Sequence, residues 1–525
     1  MTANSTPAAV TFLPLRLRTT ICVVPLLITV LVLGGCASMQ PEPVTVSKVN
    51  EVAAEDVAAI KADIAPLSGA LTLEEAISRA IKYNLDRRVR AMEEALATGQ
   101  FEAGKYDMLP KLVADAGYRH RNNDLISNSI DSKTLLPSQA NPYISSERGA
   151  TTSNLTFTWS LLDFGQSYYA SRQNADKSLI ALERRRKATH LLVQDVRTAF
   201  WRAASAQQLR GEVQATIASA EEALTDSRKA EMERLRNPLD ALRYQRQLLE
   251  NLRLLESIDQ ELSSARIELS ALVNLPLGQV VEVKEPANGF GKKWLDTPVE
   301  QLETIAIAQN ADLREAHYNT RIAHLETRRI MARLFPGLSF NYGLHSTSDN
   351  YVINQHWNDV GAQVSLGLLN LLSLPAQRKV ADAGVDLANQ QRMATLMRVI
   401  TQVHVARQQL GNSVRLYERA DAIAKVDATI SDHTAKRESA QTTTKLDRVA
   451  NQTSFILSQL RRYQALAQVY AASSKLQATL GVDPIAEGTG DLPLDQLTQK
   501  VKEALQQWDE DQKPAPALPA AASTS

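Results

Sequence analysis

The sequence predicts a mainly α-helical protein in which long coiled-coil hairpins alternate with pairs of β-strands, the whole unit built twice. Three observations carry that prediction: heptad rows of apolar residues, four stretches of strict alternation, and similar segments that keep a fixed spacing along the chain. The 525 residues carry 58 basic and 58 acidic side chains, and aromatics make up only 5%. A balanced charge offers no footprint for nucleic acid. Long runs rich in Ala, Leu, Gln, Glu and Arg favour extended helices over an ordinary compact core.

Residues 1–35 read as an address. Arg16 and Arg18 precede an apolar run from Ile21 to Leu33, interrupted by Pro25 and Thr29, which ends in Leu33-Gly34-Gly35-Cys36. The run falls short of the ~20 apolar residues a spanning helix needs. Small residues before a cleavage point mark a signal peptide, and this ending resembles a bacterial lipobox, with Cys36 acylated as the mature N-terminus. Ala37 follows where inner-membrane lipoproteins typically carry Asp, which favours the outer membrane. The second cysteine, Cys22, would leave with the signal. Two cysteines are too few for a disulfide framework or a Cys-rich zinc site.

The repeat is visible by eye. Asn84 and Asn310 end similar segments 226 residues apart, and Pro110 and Pro336 keep that offset. Further on, Leu161-Leu162-Asp163 matches Leu368-Leu369-Asn370, and Leu239-Asp240 matches Leu446-Asp447, each at an offset of 207. One loop between Pro110 and Leu161 must therefore be longer in the first copy. The polar stretch 121–152 is that loop.

Four segments alternate with period two, the pattern of a half-buried strand. Leu112, Ala114, Ala116 and Tyr118 oppose Val113, Asp115, Gly117 and Arg119. Leu155, Phe157, Trp159 and Leu161 oppose Asn154, Thr156, Thr158 and Ser160. The second copy repeats this around Leu338–Leu344 and Val360–Leu368. Four strands cannot close a membrane barrel, whose smallest common form has about eight. Open edges are not tolerated in lipid. Spanning strands would have to be pooled between copies.

The helices carry a seven-residue seam. Leu192, Ala199, Ala206, Val213 and Ala220 form one row; Val196, Ala203, Ile217 and Leu224 form a second, broken at Arg210. After Pro238, suited to a first helical turn, the rows Leu248, Leu255, Leu262, Leu269 and Ile258, Ala265, Leu272 run back. This predicts a hairpin with its tip near 234–240 and a second tip near 437–447.

The Leu73-to-Asn84 motif, Leu109-Pro110 before the first strand, Trp159-to-Gly165 (WSLLDFG) and the Leu-Asp pairs at the tips together resemble the TolC-like outer-membrane efflux family, over residues 71–483. The resemblance implies a homotrimer in which each protomer gives four strands to a 12-stranded β-barrel. Below it the hairpins would form a periplasmic α-barrel. It also implies a non-enzymatic channel embedded in outer-membrane lipid, served by a periplasmic adapter (membrane fusion) protein and an inner-membrane transporter, with no cofactor. The expected layout is a signal peptide at 1–35, a lipid-anchored segment at 36–70 and a first repeat at 71–275, with strands near 112–120 and 153–163. An equatorial linker at 276–297 leads to a second repeat at 298–483, with strands near 338–346 and 358–368. An equatorial segment and Pro/Ala-rich tail fill 484–525. Alternatives are a type I protein secretion duct and a non-channel coiled-coil lipoprotein.

Candidate sites are few. No HExxH, P-loop, GxSxG or Rossmann glycine pattern occurs, and the eight histidines lack ligand spacing. Asp240 and Asp447, at equivalent places on the two tips, are the pore-constriction candidates, because rings of carboxylates favour cations. The competing role for each is to favour its helix start electrostatically. The tips lack the glycine usual in the family, and Ala450 stands where its best-known member has a second acid. Met393 and Met397 are expected to pack, and Arg184-Arg185-Arg186-Lys187 to be a solvated helix face.

Overall fold

The computed structural model describes residues 42–509 except 63, 128–129, 138–142, 234–237, 280, 286–292, 441–443, 486–487, 489 and 491; the side chains of Asn370, Leu371 and Asp509 are also undescribed. The expected signal peptide, Cys36, part of each hairpin tip and the last 16 residues of the tail lie outside these residues. The chain divides into two units, 1–64 and 65–525. In the first, α1 (Val46–Ala62) buries none of its residues.

The second unit is the repeat made visible. α2 (Leu73–Tyr83) and α3 (Leu85–Tyr106) lead to β1 (Lys111–His120). A two-residue pair, β2 (Ile126–Ser127) and β3 (Tyr143–Ile144), decorates the long loop before β4 (Gly149–Ser160). α4 (Leu161–Met232) and α5 (Pro238–Leu272) form the first long hairpin. After α6 (Lys293–Asp296), the second copy runs α7 (Val299–Gln309), α8 (Ala311–Ala332), β5 (Gly337–Thr347), β6 (His356–Ser365), α9 (Leu368–Ser439) and α10 (Lys445–Leu480). α11 (Leu494–Asp509) ends the described chain. α4 and α9 are each 72 residues long, and α3 and α8 each 22. Their starts keep the offsets of 207 and 226 seen in the sequence.

The heptad rows are the buried rows. Leu248, Leu255, Leu262 and Leu269 are almost wholly covered: the last three share a core with Val196, Ala203, Ala206 and Val213 of α4, and Leu248 packs with Ala220 and Leu224. Small alanines let the helices approach while leucines fill the space between them, as in a coiled coil. Arg210, which interrupts the second row, turns outward towards Asp259 at 3.8 Å.

The four long strands form one antiparallel sheet in the order β1-β4-β5-β6, so the two repeats meet at β4 and β5. Among the described residues the sheet ends at two unpaired edges, β1 and β6. Strand β4 lies earlier than the alternation suggested: it starts at Gly149 and stops at Ser160 instead of running 153–163, and Leu161 opens α4. The reason is a cap. Ser160 Oγ accepts a bond from Asp163 N at 3.2 Å, which starts the helix inside the WSLLDFG motif. Leu368 likewise begins a helix, although Gly367 before it has no capping side chain.

The irregular segments tie the middle of the unit together. Leu71 makes a parallel bridge with Val283, and α11 packs on α2. Trp294 and Trp508 stack with ring centres 4.2 Å apart, Trp294 Nε1 donates to Trp508 O at 2.9 Å, and Trp508 Nε1 donates to Ser473 Oγ of α10 at 2.9 Å.

Candidate functional site

Two regions carry the chemistry expected of a conduit: the sheet and the hairpin tips. On the sheet, register lines up one apolar face. Leu112, Phe157, Tyr342 and Val360 are direct cross-strand neighbours, as are Trp159, Phe340 and Ala362. These large side chains are exposed in the protomer. The opposite face holds a hydrogen-bonded row across all four strands. Asn154 Nδ2 donates to Asp115 Oδ2 at 2.7 Å, His345 Nδ1 lies 2.8 Å from Asn154 Oδ1, and His345 Nε2 lies 3.2 Å from Asp359 Oδ1. Gly343 is needed there, because a Cβ would come within 2.5 Å of both the His345 ring and the Asp359 carboxylate. Sequence alternation put Asp115, Asn154 and His345 on polar faces. Only strand order and register bring them side by side.

At the tips, the two predicted carboxylates stand at the same place, the third residue of α5 and of α10. Asp447 belongs to a capping box: Thr444 Oγ1 accepts from Asp447 N at 3.2 Å, and Asp447 Oδ2 accepts from Thr444 N at 3.4 Å and from Thr444 Oγ1 at 2.7 Å. Asp240 is exposed, 3.8 Å from Arg243. Each carboxylate is thus engaged at its own helix start. Lys445 pairs elsewhere. Its Nζ reaches Glu222 at 3.1 Å and Asp226 at 3.4 Å on α4, so it ties the second hairpin's tip to the first hairpin. Those two carboxylates, Glu222 foremost, raise the Lys445 pKa. Two glutamines 207 residues apart, Gln245 and Gln452, cross their own hairpins: Gln245 Nε2 donates to Glu231 Oε2 at 2.7 Å, and Gln452 Oε1 accepts from Ser431 Oγ at 2.6 Å.

The basic run in α4 is more than the solvated face its sequence suggested: Arg184 and Lys187 stay exposed, Arg185 and Arg186 are largely covered, and all four are paired into a clasp. Arg184 pairs with Glu315 and Lys187 with Asp312, both on α8; Arg185 pairs with Glu94 on α3. Arg186 reaches Asp483 at 3.0 Å and Gly481 O at 3.1 Å beyond α10, and also Glu183. Burial pushes the Glu183 carboxyl up, opposed by Arg186 and Arg314. Met393 and Met397 are largely exposed in the protomer, not packed within it. Among the described residues no group of three or more His, Cys, Asp or Glu side chains could hold a metal ion, and no helix is long and apolar enough to cross a membrane.

No protein-family model and no curated protein sequence matches the chain. Solved structures do. A membrane protein from Pseudomonas aeruginosa superposes with a TM-score of 0.61 at 17% identity, over 78% of this chain and 90% of that one. The CmeC outer membrane channel of Campylobacter jejuni gives 0.60 at 13% identity, over 83% and 89%. The open state of the MtrE outer membrane channel of Neisseria gonorrhoeae gives 0.56 at 16%, over 78% and 90%. The chain therefore has the TolC-like fold.

Proposed function

We propose that the protein is an outer-membrane channel, lipid-anchored through Cys36, that works as a homotrimer. It would pass substrates received from an inner-membrane transporter and a periplasmic adapter protein. The observation that carries this reading is the four-stranded sheet with one exposed apolar face and free edges at β1 and β6. In hydrocarbon those edges must be paired. The two edges are unlike, so copies join head to tail, an arrangement that closes into a ring. Three copies make 12 strands, within the series of known barrels. The apolar face then meets lipid and the polar row faces the lumen.

The helices support the same ring. α10 packs against both α9 and α4, whereas its repeat mate α5 packs chiefly on α4. Accordingly Val449 and Ile456 of α10 are 1% and 0% exposed, while their equivalents Leu242 and Leu249 of α5 are 52% and 48% exposed. The neighbour that α5 lacks is α9 of the next copy. That helix shows a bare heptad row at Leu416, Ile423 and Ile430.

Native mass measurement in detergent, with recording in planar bilayers, tests the reading. Three copies and a steady ion current are expected. A stable monomer, or a trimer that passes no current, overturns it. Palmitate labelling that survives Cys36→Ser would remove the lipid anchor from the proposal.

A further inference from the structure

We infer that β6 of one copy pairs with β1 of the next in a single register, with Val364 opposite Ala116 and Asp359 opposite Arg121 of that copy. The inference rests on the ring proposed above and adds the contact that closes it. Its basis is the internal repeat, which can be checked on pairs the protomer already contains. Residues of β1 map to β5 at the offset of 226, and residues of β4 map to β6 at 207. Moving the observed pair Leu112–Phe157 by those offsets gives Leu338–Val364, which is an observed pair. Moving Val113–Thr156 gives Ser339–Gln363, also observed. The repeat therefore carries register as well as fold.

Among the contacts of the four long strands, the one without a mate in the described chain is β4 with β5, where the two repeats join. Its equivalent is β6 with β1 of the next copy. Moving Phe157–Tyr342 forward by 207 and back by 226 places Val364 opposite Ala116. Leu155–Leu344 becomes Ala362 opposite Tyr118, and Asn154–His345 becomes Gly361 opposite Arg119. Thr152–Thr347 becomes Asp359 opposite Arg121.

The chemistry of these pairs agrees with the register. Apolar Ala362 and Val364 meet Tyr118 and Ala116 on the lipid side, as the alternation requires. Small residues face large ones: Ala362 against Tyr118, Gly361 against Arg119, Gly117 against Gln363. On the lumen side the Asp359 carboxylate, 56% exposed and touched in its own copy by His345, gains Arg121 directly across and Arg119 on the diagonal. Opposite charges across strands stabilise pairing.

Cysteine cross-linking of the full-length trimer in membranes tests the register. Directly opposite Cα atoms lie about 4.5–5.5 Å apart, within the range a disulfide spans. A two-residue slip adds roughly 6.6 Å along the strand and takes them out of it. Val364→Cys with Ala116→Cys should shift the chain to dimer- and trimer-sized bands on oxidation. Val364→Cys with Tyr118→Cys or with Ala114→Cys should leave it monomer-sized in denaturant. The single variants control for the chain's own Cys22 and Cys36. As a second readout, Asp359→Arg should lower the temperature at which the trimer dissociates, and adding Arg121→Asp should restore it. A trimer in which a shifted pair links, or in which the charge swap does not rescue, overturns the register alone. A monomer by native mass overturns the ring and the register together.

Discussion

Asn84 and Asn310, 226 residues apart, form the same joint in the two repeats. Each ends one helix and caps the next, with φ and ψ of −62° and 127° in the first and −61° and 128° in the second. Asn84 Oδ1 accepts from Arg87 N at 3.1 Å and Asn310 Oδ1 from Leu313 N at 3.1 Å. Their amide nitrogens then donate to the ends of the returning helices: Asn84 to Leu272 O at 3.3 Å, Asn310 to Thr479 O at 2.8 Å. One side chain thus sets the bend between two helices and anchors a third.

Asn310→Ala should destabilise the protein more than Asn84→Ala, because its bond to the third helix is shorter and fully buried. Loss of a cap costs about 1 kcal/mol, and an orphaned buried partner adds about 1–3 kcal/mol. Asn310→Ser keeps a cap acceptor and loses the donor to Thr479 without adding a charge, so its thermal midpoint should fall between wild type and Asn310→Ala.

Trp508 holds the C-terminal helix. Trp508→Ala removes a buried stack on Trp294 and the bond to Ser473. Truncating a buried aromatic costs about 3–5 kcal/mol, and here the loss should appear first as local release of α11. Limited proteolysis should cut within 484–509 faster than in wild type. Trp508→Phe keeps the ring and should be cut at an intermediate rate.

Asp483 gives the clasp a pH dependence. Burial opposes its ionisation, but His190 and Arg186 beside it outweigh that and hold its pKa below the ordinary carboxylate value. A depressed acid contributes stability above its unfolded pKa and loses it as pH falls through the folded value. The window therefore lies below about pH 4. Asp483→Asn should lower the thermal midpoint at neutral pH and show a shallower fall on acidification, read from melts across that range. A parallel fall in both proteins would remove Asp483 as the source.

Lys445 is the link between the tips, so Lys445→Glu, which sets three carboxylates against one another, should loosen them. Single-channel conductance should rise, most at low ionic strength where exposed charges are least screened. Equal conductance at all salt concentrations would show that this tie does not restrain the mouth.

Asp447→Asn separates the two roles of that residue. The amide oxygen can still accept from Thr444, so the helix start should lose only about 0.3–1 kcal/mol of charge–dipole stabilisation. A ring of three carboxylates would vanish, so cation preference should weaken if the side chain lines the pore. Unchanged reversal potentials in an intact trimer would leave Asp447 with capping alone.

Periodicity and repeat offsets were determined by the sequence itself, since each is a local property of the chain. The rows at Leu248 and Val196 named the buried helix faces, whereas alternation carried the strand on to 163 and the Ser160 cap that ends it emerged only in the structure. What the tertiary structure alone decided is which distant residues meet. Arg186 and Asp483 are 297 residues apart, Lys445 and Glu222 are 223 apart, and Asn154 finds His345 across 191. A charged run looks solvated in sequence because charge has no period that names its partner. It becomes a clasp only once three helices pack around it. The same holds for the sheet: alternation assigns each residue a face, but only strand order and register, set by packing of the two repeats, assign it a neighbour.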